Sequence, residues 1–250
     1  MIRSREKEAT WGVASVAWLC GWLAAHRLSW DAFVVAAGAV CYLAMLECLD
    51  IGRFPAIFLA HHRKRLAAGL ALLGVLMLFL VWMVPRLPDA SWIMAIVIPS
   101  MFYCAARVVS LAKLEAFAFL ELAALTSVAP VTYLIVVGVP SPRVAAAIWG
   151  FFGAYTLLSA LLLSVKVGGS RAALWAARLG SIVFLAGSLL LLRAWPNPAR
   201  ALVTAIFLVA ALRVWGYRPD RRVNLTRLES KELSYEALAA LAIDAAILMV

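Results

Sequence analysis

Apolar residues fall along this chain in long blocks, separated by short clusters of charge, proline and glycine. Nine blocks can be drawn, at residues 9–25, 32–49, 66–84, 91–112, 114–138, 144–165, 172–192, 199–217 and 233–250. A helix crossing a bilayer needs about 20 mostly apolar residues, so each block predicts a spanning helix. The breaks hold helix-stopping chemistry: Pro85 and Pro88, Pro140 and Pro142, Gly168-Gly169, Pro196 and Pro198, and Pro219. The first and last blocks are the shortest, and the apolar stretch 54–60 is assigned to a loop or an interfacial helix. The fourth and fifth blocks are nearly fused across 107–115, which makes eight spans the rival count. At the N-terminus a cleaved signal peptide is the alternative to a first span. Glu6 and Glu8 dilute its basic region and no small-x-small pair follows Ala25 before His26-Arg27, which favours the uncleaved helix. The predicted fold class is all-α: a polytopic transmembrane helix bundle of about nine spans, forming one integral membrane domain over residues 1–250.

Composition removes the main rivals. Of 250 residues, 66% are hydrophobic and 14% charged, with a mean hydropathy of +0.96, against about 45–50% apolar and about 25% charged in ordinary soluble domains. A soluble chain of this length has too little interior to hide such an excess, and disordered chains are poor in apolar residues. The net charge of +10 would suggest nucleic acid in a soluble protein, but its distribution has another cause. Alternate breaks hold 17 Lys and Arg, and the intervening breaks hold 5, namely Arg27, Arg86, Arg143, Arg193 and Arg200. Cytoplasmic loops carry such an excess. The count places the N-terminus in the cytoplasm, in a multi-pass protein of the cytoplasmic membrane, and leaves no need for a nucleic-acid partner. Trp30, Trp82, Trp92, Trp149 and Trp195 fall near the outer ends, and Trp11, Trp175 and Trp215 near the inner ends, as interfacial anchors do. Trp18 and Trp22, four residues apart, read as packing residues of the first helix. Cys20, Cys41, Cys48 and Cys104 lie in apolar blocks with no Cys-x-x-Cys pair, so they read as small buried residues.

A charge at mid-bilayer costs about 2.5–3.5 kcal/mol on insertion scales and calls for a partner or a polar cavity. Glu47 and Asp50 close the second block three residues apart, on one helical face. Tyr103 and Arg107 are an i, i+4 pair. Glu121 lies eight residues past Lys113 and Arg178 seven past Arg171, about 12 and 10 Å into the membrane at 1.5 Å per residue. Asp244 is the deepest. Thr226-x-x-Glu229 fits a capping box that starts the last helix near Arg227. From there Glu229, Glu232, Glu236, Ala240 and Asp244 fall within a sector of about 120°. Either this acidic stripe faces the bundle interior and meets Arg178, Arg213 or Lys166, or the three glutamates face the cytosol and Asp244 alone needs a partner.

Most of these charges gather at the cytoplasmic mouth: Glu47, Asp50, Arg53, Arg107, Lys113, Glu115, Lys166 and Arg171. That placement suits an anionic head group entering from the cytoplasm with its apolar tail among the helices. Snorkelling side chains that anchor helix ends would give the same residues a purely structural role. Other constellations fail. His61-His62 diverge by about 100° on a helix and lack the i, i+4 spacing of a metal pair; His26 falls on the opposite side; Gly168-Gly169 is a turn and not a phosphate loop.

The motif Glu47-Cys-Leu-Asp50-Ile-Gly-Arg53 after the second block, and Tyr103 with Arg107 and Lys113-Leu-Glu115 after the fourth, resemble the UbiA-type intramembrane prenyltransferase superfamily. Lys166 followed by Arg171 after the sixth block and the basic 218–225 stretch are similar to its YwiC-like branch, whose Arg-Glu-His-Gly-Ala-Trp type of start is here Arg5-Glu6-Lys7-Glu8-Ala9-Thr10-Trp11, without the His-Gly. The resemblance implies nine spans, a cytoplasmic N-terminus, and two Asp-rich connections holding Mg²⁺ and a prenyl diphosphate. In that frame Glu47 and Asp50 are candidate catalytic carboxylates, and Arg53, Tyr103, Arg107, Lys113, Lys166 and Arg171 candidate ligand-binding residues. The second Asp-rich place here is Lys166-Val-Gly-Gly-Ser-Arg171, without a carboxylate. Two Mg²⁺ ions need several oxygen ligands, so the sequence assigns no cofactor and no confident metal site.

The expectation is therefore a membrane protein with a cytoplasm-facing basic cavity that binds a prenyl, lipid or quinone-type anion, without the usual Mg²⁺-dependent prenyl transfer. A non-catalytic membrane subunit or assembly factor is the second reading, its protein partners unspecified. A small proton-coupled transporter using Asp244, Glu121 and Arg178 is the third. The lack of a second copy of the intramembrane charges counts against a carrier built from inverted repeats.

Overall fold

The computed structural model describes residues 2–27, 29–49, 59–87, 92, 101, 122–137, 141–168, 171–191, 193, 195–217 and 225–249. Within them the long elements are all helices: α1 (Ile2–Ala25), α2 (Trp30–Leu49), α3 (Leu59–Met83), α4 (Val128–Val137), α5 (Pro142–Gly168), α6 (Arg171–Leu191), α7 (Asn197–Trp215) and α8 (Leu225–Leu248). A short 3₁₀ turn, Val84–Arg86, follows α3. Four helical stretches are long and apolar enough to cross a membrane: Trp30–Cys48, Arg63–Arg86, Pro142–Leu162 and Asn197–Trp215. Most of the predicted fourth block, and the fusion at 107–115, lie outside the described residues.

Local chemistry explains where the helices start. Ser29 caps α2, its Oγ accepting the Asp31 N–H at 3.1 Å. Ser141 stands in the same position before α5, and Pro142 takes the first helical place, where its missing N–H costs nothing. Pro196 caps α7 with Pro198 in its first turn. Between α1 and α2 the chain turns at His26, whose φ of 48° is the left-handed conformation that often follows a helix end. Two indoles tie this turn down: Trp22 Nε1 donates to the Arg27 carbonyl at 3.2 Å and Trp18 Nε1 to that of Ala32 at 2.8 Å. Trp18 and Trp22 themselves stack at 5.3 Å.

Three helices run well beyond their apolar blocks. α1 starts at Ile2, α3 at Leu59 and α8 at Leu225. Hydropathy marks the stretch that lipid accepts, whereas helix formation needs only residues that tolerate helical dihedrals, and Lys, Arg and Glu do. Leu59 and Ala60, the end of the stretch assigned to a loop or an interfacial helix, form the first turn of α3, and His61 and His62 follow on the same helix.

α1, α4, α5 and α8 pack together, with α2–α3 as a pair on one side and α6–α7 on the other. The α1–α4 seam depends on Gly21: a methyl there would run into the Ala129 carbonyl. The largest buried cluster joins Phe152, Ile148 and Leu134 to Phe207, Val203 and Ile243. Cross-links fix the sense of the helices. Trp11 near the start of α1 reaches Glu47 at the end of α2, and Cys20 late in α1 reaches Asp244 late in α8. Gly38 of α2 lies against Phe79 late in α3. Hence α1, α3 and α8 begin at the end of the bundle where α2 finishes. Trp149 and Trp195 also make contacts within the protein. Trp149 donates to Thr126 Oγ1 at 3.2 Å and Trp195 meets Phe151 edge-on at 5.9 Å.

Candidate functional site

The end of the bundle where α5 and α7 finish and α6 and α8 begin carries a set of cations, three of them laid against aromatic rings. Lys166 stands near the end of α5, and its Nζ lies 6.0 Å from the centre of the Tyr217 ring, just past the end of α7. Arg213, in the last turn of α7, lies 3.9 Å over Tyr235 of α8. Its Nη1 donates to the hydroxyl of buried Tyr155 in α5 at 3.0 Å. A single guanidinium therefore ties three helices together. At the same end Leu162, Ala177 and Val214 form a small buried cluster against which Tyr217 packs.

Arg178 of α6 is held differently. It lies between two indoles, 5.3 Å from Trp175 on its own helix and 5.2 Å from Trp215 on α7, inside the range where the ring quadrupole attracts a cation. Its Nε is buried without a hydrogen-bond partner. Arg171, one of the predicted ligand-binding residues, is exposed at the start of α6.

The acidic stripe is partly as expected. Glu236, Ala240 and Asp244 are buried, so that face of α8 turns inward; the side chains of Glu229 and Glu232 lie outside the described ones. Asp244 itself, one member of that stripe, meets no base among the described residues. Asp244 Oδ1 accepts from the Cys20 thiol at 3.3 Å and Oδ2 is buried with no partner. The physical reason is position. Asp244 sits late in α8, beside late α1, while Arg213 meets α8 at Tyr235, nine residues earlier and about 13 Å away along the axis. Arg178 is turned toward Trp215 instead. Cys20, read from sequence as a small buried residue, is buried and is also the donor that Asp244 uses.

Of the candidate catalytic pair, Glu47 accepts from Trp11 Nε1 at 3.3 Å. Asp50, Arg53, Tyr103, Arg107, Lys113 and Glu121 lie outside the described residues. Among the described residues no three or more His, Cys, Asp or Glu side chains are placed to share a metal.

Sequence reasoning missed Tyr155, Tyr217 and Tyr235, and used Arg213 chiefly to count orientation. One contact at this end had a local signal: Trp175 precedes Arg178 by three residues, a spacing that brings side chains together on a helix. Tyr155 had none, because it reaches Arg213 only through the packing of α5 on α7.

These features define an all-helical protein with several helices of membrane-crossing length and a cationic–aromatic cluster gathered at one end of its bundle. Comparison with protein-family models, curated proteins and solved structures finds no match.

Proposed function

We propose that this is an integral protein of the cytoplasmic membrane, with about nine spans and a cytoplasmic N-terminus, whose basic end binds the head group of a prenyl, lipid or quinone-type anion. The ligand's apolar tail would lie among the helices. In this reading the protein is UbiA-like in layout and works without the usual Mg²⁺-dependent transfer. A fixed Lys or Arg binds an anion and offsets its charge, but it does not bridge a diphosphate as a divalent metal does.

The observation that carries the reading is the convergence of Lys166 and Arg213, from the ends of α5 and α7, onto Tyr155, Tyr217 and Tyr235. Arg63 and Lys64 of α3, exposed near its start, belong to the same end, as do Arg171 and Lys231. Cations concentrated at one end of an apolar bundle agree with the 17-to-5 split of basic residues. Arg53, Tyr103, Arg107 and Lys113 would complete the head-group site in this proposal.

Mass spectrometry of the small molecules retained after purification in gentle detergent tests the reading. The expected result is an isoprenoid, a quinone or a polyprenyl phosphate bound to the native chain and lost from Lys166→Ala. A native chain that retains only protein partners would favour the membrane-subunit reading and sink this one.

A further inference from the structure

Arg171, Trp175, Arg178, Ile182 and Leu189 fall within a sector of about 60° along α6, at 100° per residue. Two cations thus open this stripe, about 10 Å apart along the axis, and an apolar track continues it. Ile182 is 51% exposed and Leu189 48%. Across the seam, α7 offers a parallel track: Trp215 touches the Arg178 side chain, and Leu212 and Leu208 lie one and two turns deeper, both exposed. Ala177 and Ser181 on the other side of α6 are fully buried, so the stripe lies on the flank away from the core.

The state of Arg178 shows what this flank lacks. Indole N–H groups donate and do not accept, so two tryptophans can hold the plane of a guanidinium without meeting its hydrogen bonds. Nε is buried without a partner, and no carboxylate among the described residues pairs with Arg178 or Arg171. The missing complement is an anion that brings two apolar chains with it.

We infer that the outer face of α6 and α7 binds an anionic phospholipid, its phosphate between Arg171 and Arg178 and its acyl chains along Ile182–Leu189 and Leu208–Leu212. Charge complementarity selects this occupant. A zwitterionic lipid would neutralise less of the pair, and a protein helix seated here would have to bring its own carboxylate to the depth of Arg178. The site is separate from the one formed by Lys166 and Arg213, which face Tyr217 just past α7, Tyr155 of α5 and Tyr235 of α8.

Native mass spectrometry of the purified chain, titrated with phosphatidylglycerol and with phosphatidylcholine, tests the inference. The native chain is expected to prefer phosphatidylglycerol, and that preference to fall about fivefold in Arg178→Gln and in Arg171→Gln, in keeping with the worth of one basic residue at an anionic lipid surface. Arg171 is exposed, so its variant reads binding without disturbing the packing. Lys166→Ala should keep the preference whether or not it loses the ligand of the interior site. Equal binding of the two lipids, an unchanged preference in both arginine variants, or its loss in Lys166→Ala would overturn the assignment.

Discussion

Helices α5 and α3 are nearly equal in length, 27 and 25 residues, and both are strongly apolar. Half of the membrane-length stretch of α5 is buried inside the protein, against 11% of that of α3. The first packs against α4, α6, α7 and α8, while the second leans on α2 and leaves Leu70, Leu78 and Val81 exposed. In water so large an apolar face would drive association; in lipid it needs no partner. The same division separates the two arginines. Arg213 points inward to a buried tyrosine hydroxyl that accepts its hydrogen bond, and Arg178 lies on the outer flank between rings that have no acceptor to offer. Apolar sequence alone marks both helices for the membrane; only packing tells which of them lines the interior.

The sharpest break of this contrast comes from the interior. Phe152 of α5 is fully buried, so Phe152→Ala should cost about 3–5 kcal/mol, read as a large fall in thermal stability in detergent. Next comes the exterior. Val75, midway along α3, is 49% exposed, and an aspartate there should cost about 2.5–3.5 kcal/mol if the surroundings are hydrocarbon. Membrane-inserted Val75→Asp should therefore be scarce, whereas near-native insertion and yield would show that α3 faces water. The pair of arginines gives the finest distinction. Arg213→Gln loses a charge-assisted hydrogen bond worth about 1.5–3 kcal/mol, and Arg178→Gln loses cation–ring contacts worth about 1 kcal/mol or less. Equal falls in melting temperature would erase the difference between inside and outside.

Much of the helix layout was legible because its punctuation is local. Proline and glycine end the apolar blocks, so the predicted 144–165 and 172–192 segments lie within a few residues of α5 and α6. The helix start at Leu59 was harder to place, since charged residues extend a helix past the apolar block without changing its period, whereas the Thr226 capping box put the start of α8 within two residues of Leu225. The site was less legible than the fold. Lys166 and Arg171 drew notice as cations standing in a place where the resembling family has aspartates, and the structure adds rings beside the first. Its most connected member, Arg213, looked like one more positive charge in a cytoplasmic break, because Tyr155 is 58 residues away in sequence. Asp244 was visible as an anomaly, but its partner Cys20 lies 224 residues distant. Long-range contacts of that kind leave no periodic trace.

The central claim is that the basic end recognises the charge of an amphiphile and not its tail alone. Binding of geranylgeranyl monophosphate and of uncharged geranylgeraniol to the purified chain, compared in one detergent, tests it most directly. The phosphate is expected to bind at least about tenfold more tightly, a difference of about 1.4 kcal/mol, with that advantage lost in Lys166→Ala and kept in Arg178→Gln. Equal affinity for the two compounds, or an advantage that survives in Lys166→Ala, would contradict it.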